Sequence, residues 1–136
     1  MTKLQYADIM EQVSHFAVSS VAKAKVQKLR PFATYEEAQK ALEEAKQAYS
    51  LFQYETSFDL SVDDVAEICS LARVGSCLSM GQLLQIMRTL RTARNLQTAL
   101  FTDYGTDISL LQTRAYALYV DKDLEEDIDF CILSEE

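Results

Sequence analysis

Three arginines spaced three residues apart are the clearest candidates for chemistry in the chain. Arg88, Arg91 and Arg94 lie within the stretch 79–101. Arginine binds phosphate and carboxylate groups through a planar fork of N–H donors, so these residues could contact nucleic acid or form internal ion pairs. The simpler interpretation is a solvated, partly ion-paired helix face. Three cations can contact at most about three phosphates, which predicts weak or no binding of nucleic acid by this chain.

The usual catalytic and ligand-binding arrangements are missing from the sequence. His15 is the only histidine, so a two-histidine metal site is excluded, and the sequence nominates no Ser–His–Asp or Cys–His arrangement around it. No glycine-rich phosphate-binding motif occurs, and the acids lie at predicted helix starts and faces, where capping and solvation explain them. Cys69, Cys77 and Cys131 form no C-x-x-C pair and are interpreted as buried or half-buried thiols. We therefore predict no catalytic, cofactor-binding or metal-binding residue and expect no enzyme activity from this chain.

Composition and charge narrow the class of protein. The chain has 136 residues, of which 49% are apolar and 25% charged, as is typical of one globular domain. Its net charge is −8, and residues 121–136 contribute −7 of it, so the rest is almost neutral. The sequence has no signal peptide and no apolar run long enough to span a membrane, so we expect a cytoplasmic protein outside the membrane.

The periodicity of apolar residues predicts an all-α fold, a single-domain bundle of about seven helices formed by residues 1–136. Three glycines and one proline are too few for the turns of a sandwich or barrel. The predicted loop covers residues 53–60, and the predicted helices cover residues 4–17, 19–29, 35–52, 61–73, 79–101, 108–118 and 121–132.

The helix 79–101 is predicted to be the longest and most central. Ser79 and Gln82 have the spacing of a reciprocal cap, in which each side chain accepts a hydrogen bond from the other residue's backbone N–H. The apolar residues of this helix fall on an arc of roughly 140°, and Arg94 lies inside that arc. An arginine there must extend its head to water or pair with a carboxylate.

Local signals define other helix ends and faces. Thr34 with Glu37 and Ser61 with Asp64 are predicted N-terminal caps, and Gly75 is a predicted C-terminal one. The third helix is predicted to bury the residues Ala38, Leu42, Ala45, Tyr49 and Phe52. The last helix is predicted to point its acids outward and to bury the residues Leu124, Ile128, Cys131 and Ile132.

Several segments resemble the second bacterial MutS family, the MutS-type-two proteins that carry a C-terminal Smr domain. Residues 78–100 resemble the family signature LS-x-x-E-L-x-x-I-x-x-x-L-R-x-A-R-x-L, with Gln82 in place of the usual acid. Leu29-Arg30-Pro31 matches the LRP of the family, and residues 124–132 resemble its LEEEIDRCID. The similar segments occur in the same order and cover nearly the whole chain.

The resemblance implies that the chain is the N-terminal helical core, or lever, segment of a much longer ATPase. Such a protein would bind ATP and Mg²⁺, form a homodimer and act on DNA or on ribosomes and their rRNA through other domains. Its family is associated with DNA mismatch repair proteins, with suppression of recombination and with rescue of ribosomes. In this case the segment would relay conformational change between the clamp and ATPase domains.

A free-standing helical adaptor that binds another protein is the alternative function. The two hypotheses predict different sequences after codon 136. A frame that continues into heptads and a Walker motif would favour the relay segment, and a stop codon would favour the adaptor.

Overall fold

The computed structural model describes residues 5–54 and 57–133, and the regular structure within these ranges is entirely α-helical. The predicted all-α fold of seven helices is confirmed, and α5, with 21 residues, is the longest. The helices are α1 (Tyr6–Ser14), α2 (Ser20–Lys28), α3 (Tyr35–Tyr54), α4 (Ala66–Arg73), α5 (Met80–Leu100), α6 (Ser109–Tyr116) and α7 (Lys122–Leu133).

The helices group into two compact units. The first contains α1, α2, α4, the Met80–Thr92 part of α5, and α7. The second contains α3, the Ala93–Leu100 part of α5, and α6. That residues 1–136 form one domain stays a prediction. Among the described residues, no helix combines the length and the apolar character that crossing a membrane requires.

The predicted N-terminal cap of α5 and the predicted C-terminal glycine of α4 are confirmed, whereas the predicted Ser61–Asp64 cap at the start of α4 is wrong. The Ser79 backbone N–H donates to Gln82 Oε1 at 2.8 Å, and the Gln82 backbone N–H donates to Ser79 Oγ at 3.2 Å. Both N–H groups would otherwise lack a partner at a helix start, so the pair fixes where α5 begins. Gly75 has a φ of 78°, and its N–H donates to the Ala72 carbonyl, which ends α4 in the left-handed conformation that glycine allows.

The predicted start of α4 is wrong by several residues. Instead of beginning at residue 61, the helix begins at Ala66. The Asp64 carboxylate accepts a hydrogen bond from the Ala66 N–H at 3.2 Å, an Asx-type contact that turns the chain before the helix. The predicted loop 53–60 is displaced along the chain, since α3 continues through Tyr54 and residues 57–65 are non-helical. Residues 4, 55 and 56 of these predictions lie outside the described residues.

The predicted buried face of α3 is wrong. Leu42, Tyr49 and Phe52 are exposed, and the face that packs within the second unit is centred on Gln47 and Leu51. At 100° per residue, Leu51 lies about 180° from Leu42, so the packed face is the opposite side of the helix. The α3 helix therefore packs through a partly polar face and leaves Leu42 and Tyr49 exposed.

Each unit has its own set of buried apolar side chains. In the second unit, Leu51, Leu100, Ile108 and Ala115 form the core, with half-buried Leu96 packed against it. The buried apolar residues of the first unit are Ile68, Met87, Leu90 and Ile128. Burial of such side chains stabilises by about 1.5–3 kcal/mol each, which is enough to hold short helices in place.

Candidate functional site

The structure places the three arginines of α5 in different surroundings. Arg88 is exposed, Arg91 is half-exposed at its side chain and Arg94 is half-buried. Arg88 and Arg91 belong to the first unit, and Arg94 belongs to the second. Arg94 is therefore more buried than the other two, as the helical phase expected from the sequence predicts. Their roles as contact or structural residues stay predictions.

Arg91 has a partner that the sequence analysis missed. Its Nε lies 3.8 Å from Oε2 of Glu125 on α7, and its Nη2 lies 3.8 Å from the Met87 sulfur one turn earlier on α5. Only 4% of the Glu125 side chain is exposed, whereas 49% of the Arg91 side chain is. A carboxylate removed from water needs a nearby cation, so Arg91 stabilises Glu125 in its buried position.

The position of Glu125 corrects the predicted orientation of α7. The acids were all expected to face outward, but Glu125 is buried and Leu124 is exposed. Cys131, predicted to face inward, is also exposed. Glu125 precedes Ile128 by three residues and Ile132 by seven, so all three share one face of α7. The predicted burial of Ile128 and Ile132 already indicates that Glu125 points inward. The sequence analysis places it outward only because acids usually face water.

The start of α7 also favours a carboxylate. Glu125 lies in the first turn, where the helix dipole stabilises negative charge. The Leu124 N–H donates to Asp121 Oδ1 at 2.9 Å, so Asp121 caps the same end. The helix terminus and Arg91 thus both place positive potential near the Glu125 carboxylate. Because that carboxylate partly neutralises Arg91, Arg88 is the more available cation for an external phosphate.

Three glutamine side chains connect helix ends within the second unit. Gln47 of α3 accepts the Leu110 N–H in the first turn of α6 at 2.9 Å. Gln97 of α5 donates to the Ala115 carbonyl near the end of α6 at 2.9 Å, and Gln112 of α6 donates to the last carbonyl of α5 at 3.1 Å. Helix ends carry backbone groups without intrahelical partners. These glutamines satisfy three of them and so fix how α3, α5 and α6 pack.

An ion pair adds to the contact between α3 and α6. Arg114 donates from Nε and Nη2 to Glu44 Oε2 at 2.9 and 2.6 Å. The hydrogen bond to Glu44 raises the pKa of Arg114 above its ordinary value. Because 69% of the Arg114 side chain is exposed, this pair contributes only about 0.2–1 kcal/mol to stability. It sets the register of the two helices more than it stabilises them.

Asp107 caps the start of α6. Its Oδ1 accepts the Ser109 N–H at 3.0 Å. Hydrogen bonds from the Ser109 backbone and then from its side chain lower the pKa of the Asp107 carboxyl below its ordinary value. The charged form is therefore the one that α6 prefers, as is expected at a helix N-terminus.

Three exposed cysteines and a recess beside α2 are the remaining features with reactive or polar side chains. Cys69, Cys77 and Cys131 are all exposed, so their predicted burial is wrong. Within residues 5–54 and 57–133, no group of three or more His, Cys, Asp or Glu side chains is placed to hold a metal ion. A recess of about 320 Å³ beside α2 is lined by Ser20, Val21, Ala24, Lys25, Lys28 and Asp64. Its polar groups do not form an arrangement typical of acid–base or nucleophilic catalysis.

The fold and these contacts define a helical segment whose polar side chains mainly join helices to one another. Proteins named endonuclease MutS2 contain a similar segment. The one from Clostridium beijerinckii is 32% identical over 136 residues, which cover 98% of this chain and 17% of that protein. The one from Clostridioides difficile is 31% identical over 135 residues, with 97% and 17% covered. The one from Alkaliphilus oremlandii is 28% identical over 134 residues, with 97% and 17% covered.

The chain is therefore homologous to one segment of the MutS2 proteins, the second bacterial MutS family, and the resemblance found in the sequence is confirmed. It spans 17% of the length of these relatives. No protein-family model matches the chain, and no solved structure matches it.

Proposed function

We propose that the chain is a non-catalytic structural segment, the N-terminal core or lever, of a longer cytoplasmic MutS2-type protein. One observation carries the proposal: the similarity extends over 97% of this chain or more but only 17% of each relative. A match of that shape is expected of one building block of a long protein. The sequence supplies no phosphate-binding loop, so ATP and Mg²⁺ would bind elsewhere in the longer protein.

Within this segment, α5 would transmit conformational change between other domains of the longer protein. Its 21 residues span about 30 Å, the width of a small domain. The whole protein would dimerise and act on DNA or on ribosomes and their rRNA. This segment alone would bind nucleic acid weakly at best, because Arg91 is partly neutralised and the end of the chain is acidic.

An exchange of segments tests the proposal. The matching residues of the Clostridium beijerinckii relative would be replaced by this chain, and the endonuclease activity given in that protein's name would be measured on a DNA substrate. We expect the chimera to keep cleavage within about tenfold, because the helix-joining contacts travel with the segment. A chimera that folds but has lost cleavage, while a second chimera made with another relative's segment keeps it, would contradict the proposal.

The free-standing adaptor remains a second candidate, and the exposed apolar residues of α3 favour it. Exposed apolar patches often mark protein-binding surfaces. An adaptor would leave the chimera inactive and would bind a partner as the isolated 136-residue chain. The segment-exchange experiment therefore separates the two candidates.

A further inference from the structure

The uncovered face of α3 has the spacing of a coiled-coil seam. Apolar residues recur at alternating steps of three and four over 18 residues, about 27 Å of helix. We call these six residues the α3 seam: Tyr35, Ala38, Leu42, Ala45, Tyr49 and Phe52. Because Tyr35, Leu42 and Tyr49 are seven residues apart, they lie within about 40° of one another around the helix.

The large side chains of the seam are exposed, whereas Ala38 is half-buried. Tyr35 is 75% exposed, Leu42 52%, Tyr49 70% and Phe52 42%. Phe52, at the end of the seam, also packs edge-on against Phe58 with ring centroids 5.6 Å apart. The helix is held on its opposite side through Gln47 and Leu51, so covering the seam requires no rearrangement of the second unit.

The seam is complementary to itself when two copies run antiparallel. If Leu42 of one copy packs against Ala45 of the other, then Ala38 packs against Tyr49, and Tyr35 packs against Phe52. Each such pair of facing residues forms a layer of the interface. The Leu42–Ala45 and Ala38–Tyr49 layers join a large side chain to a small one, and the Tyr35–Phe52 layer at each end joins two aromatic rings. Interiors pack best in this alternation of large and small residues. A parallel pair would instead place Tyr against Tyr and Ala against Ala, leaving gaps at the alanine layers.

The area of the seam allows a weak pair, and the net charge of the chain makes that pair dependent on salt. If all the exposed area of its large side chains were covered, the seam would bury about 500 Å² per copy, or about 1,000 Å² for a pair, which is the size of a weak, transient interface. Lys46, at the edge of the seam, is paired with Glu43 of the same helix at 3.7 Å, so it adds little repulsion. The net charge of −8 per copy opposes association, so salt should strengthen it.

We propose that α3 binds α3 of a second copy of this chain in an antiparallel pair through the α3 seam. Isologous contacts of this kind close into a twofold dimer and cannot extend into a fibre. The inference does not rest on the proposed function, because it concerns the isolated chain and uses only α3.

Analytical ultracentrifugation of two matched variants tests the pairing. Wild-type protein should show a monomer–dimer equilibrium with a dissociation constant in the micromolar range, roughly 10–100 μM, and the dimer fraction should rise with salt. Tyr49→Glu places a charge in the seam and should weaken association by about tenfold or more. Tyr54→Glu makes the same change on the same helix, where Tyr54 is 62% exposed and lies about 140° from Tyr49. Tyr54→Glu should leave the constant within about twofold, as is usual outside an interface core.

Cross-linking tests the orientation in protein whose native cysteines Cys69, Cys77 and Cys131 are replaced by serine. In the antiparallel pair, the two copies of Ala45→Cys lie about 5 Å apart along the helix axis and those of Ala38→Cys about 16 Å apart. A short bis-maleimide should therefore join Ala45→Cys and not Ala38→Cys. Equal cross-linking of both would indicate a parallel pair and overturn the proposal. A wild-type chain that stays monomeric at 500 μM, roughly ten times the expected constant, would also overturn it and would mean that a different helix covers the seam.

Discussion

Replacing Arg91 by methionine should destabilise the first unit, because the buried Glu125 carboxylate would lose the attraction of a nearby cation. The N–O separation is 3.8 Å. At an effective dielectric constant of about 20, unit charges at that separation attract by roughly 4 kcal/mol. The Arg91 side chain is 49% exposed, so water screens part of this attraction. We expect a loss of about 2 kcal/mol, less than the 3–5 kcal/mol typical of a fully buried pair. Methionine keeps the packing of the arginine stem.

Urea denaturation followed by circular dichroism measures this loss. With a slope of about 2 kcal/mol per M, a loss of about 2 kcal/mol lowers the midpoint by roughly 1 M. Arg88→Met is the matched control, since Arg88 is exposed on the same helix, and it should change stability by less than about 0.5 kcal/mol.

A double-mutant cycle separates the pair from other effects of the substitution. Glu125→Gln removes the charge that needs Arg91, so the combined variant should be about 1–2 kcal/mol more stable than the two single losses predict. If Arg91→Met unfolds at the wild-type midpoint, or if the two losses simply add, Arg91 does not stabilise Glu125 and the reasoning is refuted.

Three further predictions concern single side chains. Arg94→Ala should cost about 1 kcal/mol, or roughly 3–5 if its head pairs with a buried carboxylate, while Arg88→Ala stays within about 0.5, and equal urea midpoints would contradict the helical phase of α5. Gln47→Leu should cost about 1–3 kcal/mol, because a buried backbone N–H of α6 loses its acceptor, whereas Gln53→Leu on the exposed side of α3 should be nearly neutral in the same assay. The pKa of Asp107 is lowered in the folded chain, so the ionised carboxyl stabilises the fold at pH values above its ordinary pKa of about 3.9, and this stabilisation is lost as the pH falls through the folded-state pKa. Between about pH 5 and pH 2, the urea midpoint of Asp107→Asn should therefore fall less than the midpoint of the wild type. Equal declines of the two midpoints would contradict this prediction.

Features encoded by short spacings could be predicted from the sequence. The Ser79–Gln82 cap and the glycine end of α4 depend on residues only a few positions apart, so their chemistry is local. The number of helices follows from periodicity and from the scarcity of glycine and proline. Thr34 Oγ1 likewise accepts the Glu37 N–H at 3.2 Å, as its spacing predicts.

Features that depend on a distant partner could not be predicted in the same way. Which side of α3 packs is decided by Gln47, whose acceptor oxygen meets the start of α6 sixty-three residues further along the chain. Periodicity finds the apolar side of a helix and not the side that has a neighbour. Glu125 was assigned to the surface because it is an acid, and its burial depends on Arg91 of another helix. The three cysteines were assigned to the interior from the average behaviour of their residue type, and they are exposed.

The exposed thiol Cys77, just before the start of α5, allows the most direct test of the relay function. A fluorophore would be attached to Cys77 in the Clostridium beijerinckii chimera, with every other cysteine replaced by serine. If the segment relays conformational change, addition of ATP and Mg²⁺ should shift the emission reversibly, and the isolated labelled chain should show no shift. An emission unchanged by ATP in a chimera that still cleaves DNA would contradict the account, because α5 would then be insensitive to the nucleotide state.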